Sequence, residues 1–193
     1  MKEEYLPLVI REFRRIRSQA EAALAQLPTE AFFAVPSPGD NSVAVIVKHI
    51  AGNMISRWTD FLTSDGEKPD RDRDDEFQLT EKDTREHLQT RWEQGWAALL
   101  NALTPLSAAD LDRDVQIRGE SLTVLQAINR QLTHYAYHLG QIVYLAKHFA
   151  GPKWKSLSIP LGQSRTFNQA PATYIEPAPP DATGTPPRTP SGA

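Results

Sequence analysis

Two histidines four residues apart stand in the run His134-Tyr135-Ala136-Tyr137-His138-Leu139-Gly140-Gln141. On a helix, side chains at i and i+4 share a face with Cβ atoms about 5–6 Å apart, so both imidazoles can reach one metal ion. The third ligand has to come from another element. His49, in Lys48-His49-Ile50-Ala51-Gly52-Asn53, is the candidate. Asn53 lies one turn beyond His49, and Gln141 lies three residues beyond His138. Each suits a role in orienting a ligand or supporting a histidine, and equally a plain helix-packing hydrogen bond. His87 sits among charges and reads as exposed. His148 lies near a helix C-terminus, where the dipole favours an imidazolium.

Rival chemistries fail on residue type. The His134–His138 pair lacks the glutamate of His-Glu-x-x-His, so the metalloprotease base is missing. The chain contains no Glu-x-x-His, which argues against a di-iron carboxylate site. It also has no Gly-rich phosphate loop and no serine nucleophile elbow. With 0 cysteines, disulfides, thiolate metal sites and a cysteine nucleophile are all excluded.

The elements that must position these residues are helical by pattern. Apolar residues at Leu6, Val9, Ile10, Phe13, Ile16, Ala20, Ala23, Leu24 and Leu27 keep the three–four spacing of one buried face, and Pro28 ends the segment. A second segment runs from an Asn41 or Ser42 cap to about Phe61, with His49 at the edge of its buried face. A third ends near Leu103, with Thr80 and Asp83 resembling a capping box at its start. The fourth runs from about Ser121 to Ala150, with Gly151 as its C-cap and Pro152 after it. The alternating run Asp70-Arg71-Asp72-Arg73-Asp74-Asp75-Glu76 reads as an exposed crossover loop rather than a cation site. Ser107 to Leu111 suits a short helical turn. Apolar residues between 152 and 175 are expected to fold back over the helices.

These signals predict an all-α fold, a four-helix bundle with long crossover connections at 64–79 and 104–120. The domain is placed at residues 1–175, with a Pro-rich disordered tail at 176–193. Net charge is −3 over 193 residues, which favours neither nucleic acid nor an anionic membrane. The longest apolar run, Val43 to Val47, is too short to span a bilayer, and the first residues lack a signal-peptide pattern. A cytoplasmic location is the default expectation.

Asn41-Ser42-Val43, the His49 segment, the His134–Ile142 segment and Ser156-Leu157-Ser158-Ile159-Pro160-Leu161-Gly162-Gln163-Ser164 together resemble the DinB-like (YfiT-like) superfamily. More narrowly they resemble a branch known only as a domain of unknown function. The resemblance covers roughly residues 3–170. It implies an up-down-down-up bundle, often a homodimer, with His49, His134 and His138 as ligands of one divalent metal. Nickel or zinc is the expected ion, with iron, manganese or cobalt as further options. Characterised relatives include thiol-dependent S-transferases, so the implied reaction is transfer of a small-molecule thiol to an electrophile. A non-catalytic, stress-associated scaffold and a metal-dependent hydrolase are the alternatives, because fold does not fix function.

Overall fold

The computed structural model describes residues 2–170 and is 63% helical. Among the described residues it has six helices and a small two-stranded sheet. The long helices are α1 (Lys2–Leu24), α3 (Val43–Trp58), α4 (Arg85–Leu103) and α5 (Val124–Ala150), with short α2 (Thr29–Phe33) and α6 (Ser164–Gln169). A hairpin of β1 (Asp114–Ile117) and β2 (Glu120–Thr123) precedes α5. Two compact units result, one ending at Leu157 and one beginning at Ser158. The second contains α6 and a fully exposed Leu161. The expected tail at 176–193 lies outside the described residues. No described helix is long and apolar enough to cross a membrane.

Helix starts follow local chemistry. The Ser42 hydroxyl accepts from the Val45 N–H and caps α3. Thr84, rather than Thr80, caps α4 through the His87 N–H. Thr80 instead donates to Asp83 in a turn ahead of the helix. A capping box of Thr123 and Gln126 opens α5, so Ser121, expected at the helix start, belongs to β2. Each such cap stabilises its helix by about 1 kcal/mol.

The long helices meet in one apolar core, with α3 packed most closely on α4 and α1 on α5. Gly95 of α4 permits that first approach, because a Cβ there would lie 2.7 Å from Met54 Cε. At the centre each long helix supplies one aromatic ring. Phe13 lies 6.1 Å from Trp58 and 5.9 Å from Tyr135, and Trp96 lies 6.1 Å from Tyr135. The Tyr135 hydroxyl is fully buried, so it must find partners inside the protein. It accepts from Trp58 Nε1 (3.0 Å) and donates to Asn53 Oδ1 (3.1 Å). This pair of bonds sets where α5 sits along α3. Past α5 the chain turns back, and Gln26 exchanges side-chain hydrogen bonds with the Lys155 backbone.

Replacing Tyr135 with phenylalanine strands the buried Trp58 N–H and Asn53 carbonyl. The expected cost is about 1–3 kcal/mol in urea unfolding. A change below a few tenths would show that the two groups find other partners.

Candidate metal centre

The crossing of α3 and α5 brings together the three histidines singled out by spacing. His49 Nε2 lies 3.3 Å from His134 Nε2, which lies 3.0 Å from His138 Nε2. Ligand atoms of all three fall within 4.8 Å of one another. A tetrahedral ion with metal–nitrogen bonds of ~2.0–2.1 Å separates its ligand nitrogens by about 3.3 Å, so these distances suit one ion. His87 and His148 are exposed and take no part.

The outer ring nitrogens explain why the inner ones fit a cation. His49 Nδ1 lies 2.8 Å from Glu76 Oε2, and a carboxylate only accepts, so Nδ1 carries the proton. His138 Nδ1 lies 2.7 Å from Gln141 Oε1 and donates likewise. With Nδ1 protonated in both rings, the Nε2 atoms are the positions left to present a lone pair, and both are aimed towards His134 Nε2. One ring N–H cannot serve two lone pairs well, whereas a divalent cation accepts all three. The residues present therefore fit a metal ion.

Burial adds to this preference for neutral rings. It pushes the His134 pKa down to about 3, with repulsion from His138, His49, Arg57 and Arg71 in support. Burial also lowers His138, and the Gln141 hydrogen bond only partly opposes it. Glu76 goes the other way. Burial would raise its carboxyl, but the hydrogen bonds from His49 and Arg71 hold it below the usual carboxylate range.

Glu76 was not foreseen as part of the site. The charged run around it reads as exposed, yet Glu76 is 6% exposed and His49 4%. Of the alternating charges only Arg71 and Glu76 are tucked in, and they can be because they pair. Arg71 grips Glu76 through two 2.8 Å bonds and also binds Glu67. Phe77 covers the His49 ring at 4.8 Å, which moves His49 from the edge of the core to its inside. Lys48 pins the far end of this connection by bonding the Gln78 carbonyl and Asp83.

Gly52 makes room for the carboxylate. A Cβ at Gly52 would lie 2.2 Å from Glu76 Oε1. A mid-helix glycine costs about 1 kcal/mol relative to alanine, so its place three residues after His49 was the one signal in the sequence that something approaches α3 there. The two amide residues part company. Gln141 supports His138 directly, whereas Asn53 makes the helix-packing bond to Tyr135. Asn53 also lines a cavity of about 200 Å³ beside His49 and His134.

Two outcomes follow for this centre. Glu76→Gln and Gly52→Ala should each weaken zinc binding, the former by about 10–100-fold, since partners of ligating histidines matter on that scale. Competition with a chromogenic chelator measures it, and parent-like affinity in both variants would remove Glu76 from the site. The second outcome concerns acid. An unfolded histidine protonates near 6.5, but folded His134 stays neutral to about 3. The folded state thus binds fewer protons between those values, so stability is complete above pH ~6.5 and falls as pH drops towards 3. Melting temperatures of chelator-treated protein should trace that fall, and His134→Gln should flatten part of it.

No curated protein and no solved structure matches this chain. A family model does, over residues 1–163, and that span holds all three histidines as well as Glu76 and Gln141. The chain accordingly belongs to the protein family of unknown function DUF1572.

Proposed function

We propose that this protein is a divalent-metal-dependent enzyme of DinB-like kind, with His49, His134 and His138 holding one nickel or zinc ion. The observation that carries the reading is the convergence of three imidazoles beside a polar cavity. Four long helices in chain order, with one histidine on α3 and the pair on α5, support a bundle of the up-down-down-up type. An ion held by three imidazoles keeps a position for substrate and lowers the pKa of water or a thiol bound there, which supplies a nucleophile at neutral pH.

The chain's own residues do the rest. Glu76 and Gln141 hold two rings in the tautomer that presents Nε2. Phe77 shields the His49 ring, and the core beneath keeps α3 and α5 in register. A purely structural ion would have its remaining position closed by protein, so the cavity favours an enzyme over a scaffold. Low-molecular-weight thiol transfer to a small electrophile is the preferred reaction, and hydrolysis is the alternative.

His49→Ala, His134→Ala and His138→Ala should each lose most bound metal by mass spectrometry, while His87→Ala and His148→Ala keep it. Full occupancy in any one of the first three would remove that residue from the set. Millimolar thiol should change the visible spectrum of cobalt-loaded protein. An unchanged spectrum with cobalt retained would retire thiol transfer in favour of hydrolysis.

A further inference from the structure

The cavity beside the histidines is lined by five arginines: Arg57, Arg71, Arg73, Arg118 and Arg130. None of its lining residues is acidic. The carboxylates that touch these arginines lie behind or outside the wall. Glu67 Oε2 is shared by Arg57, Arg71 and Arg118, and Arg71 also holds Glu76. Arg130 has only a 3.4 Å contact to exposed Glu120, and Arg73 a 3.8 Å contact to exposed Asp74. Two of the carboxylates that touch these guanidiniums, Glu120 and Asp74, are solvent-exposed and loosely placed.

The arginines fall into two sets. Arg57 and Arg71 are buried and engaged, and they build the frame around Glu67 and Glu76. Arg73, Arg118 and Arg130 have side chains about half exposed, at 50%, 52% and 45%, and each keeps donors without a carboxylate partner. Two cavity-lining residues also carry buried polar atoms with no partner, Gln131 Oε1 and Arg57 Nε. Gln131 is only 3% exposed. Neither atom reaches the cavity surface, so recognition in the cavity falls to the half-exposed arginines.

Arg118 is placed deliberately. It occupies the first turn position of the β1–β2 hairpin at φ 56°, with Gly119 following at φ 73°. That turn favours Asn or Gly first, so a long side chain there is held in a strained backbone conformation. Asp65 holds the turn in place by accepting from the Arg118 and Gly119 N–H groups, each at 2.8 Å. The Gly66 N–H donates to the Gln116 carbonyl at 2.8 Å and ties the same loop to β1. The strained turn carries the guanidinium to the cavity wall.

We propose that this cavity is the binding site for the anionic group of a small oxyanion substrate, a carboxylate or phosphate, recognised by Arg118 and Arg130 with Arg73 at the mouth. The planar guanidinium fork matches either group. At about 200 Å³ the cavity admits a compact metabolite rather than a peptide or polymer. His49 and His134 line the same cavity, so a ligand held by the arginines presents its other end to the histidines. This second point rests on the metal-enzyme reading, but the anion site does not.

Calorimetry on the full-length protein tests it, with succinate, inorganic phosphate and neutral succinamide as probes, on chelator-treated protein and on protein given one equivalent of zinc. At least one anion should bind, and succinamide about tenfold more weakly or worse. The tighter anion names the group. Arg118→Gly and Arg130→Gln should each weaken anion binding about tenfold, the scale of one charged hydrogen bond. Arg14→Gln, an exposed arginine on α1, should leave it unchanged. Arg118→Gly relieves the positive φ, so its melting temperature should stay within a few degrees of the parent, which separates lost recognition from lost folding. Equal binding by parent, Arg118→Gly and Arg130→Gln, or by succinate and succinamide, would overturn the site. Zinc uptake with no anion binding would overturn it alone. Anion binding that those two substitutions weaken, in a protein that takes up no zinc, would uphold the site and retire the metal reading.

Discussion

The buried Tyr135 hydroxyl is the constraint on which this structure depends. A phenol in the centre of an apolar core must be hydrogen-bonded, and its partners, Trp58 and Asn53, both lie on α3. Any slide of α5 along α3 breaks these bonds. His134 is the next residue on α5, and His49 lies one turn from Asn53 on α3. The interaction that satisfies the core therefore also sets the spacing of the imidazoles. Asn53, singled out for a role beside the metal ligands, serves the site through this lock.

Around the histidines, charge is used in layers. Glu76 orients His49 and is itself neutralised by Arg71, which Glu67 ties to Arg57 and Arg118. Removing one partner would leave a buried charge uncompensated, so the connection between α3 and α4 behaves as one network. Its carboxylates lie off the cavity lining, which holds arginines and no acidic residue. The guanidiniums face the cavity, where they would add to the positive field of any divalent ion held next door.

The sequence was most legible where periodicity and residue type agree. The long helices follow from their apolar stripes, and the histidine cluster follows from i,i+4 spacing plus one further histidine. The hairpin was missed because each strand has only four residues and the turn is Arg-Gly rather than Asn-Gly. In the Asp70–Glu76 run five residues are exposed as expected, and only Arg71 and Glu76 depart from that reading. Composition marks it as solvated, but Glu76 is buried because it also pairs with His49 on α3, 27 positions away, and such a contact leaves no local pattern. Gly52 was the exception, since a glycine inside a helix next to a candidate ligand implies a close neighbour.

On the proposed reading, three imidazoles, each presenting Nε2, hold one ion that remains open to a further ligand. X-ray absorption spectroscopy on the full-length protein carrying one equivalent of zinc reads this directly. Three imidazole nitrogens are expected at about 2.0–2.1 Å, with their outer-shell ring scattering, and a remaining light ligand that exchanges on addition of a thiol. A shell of oxygens without imidazole scattering would contradict it.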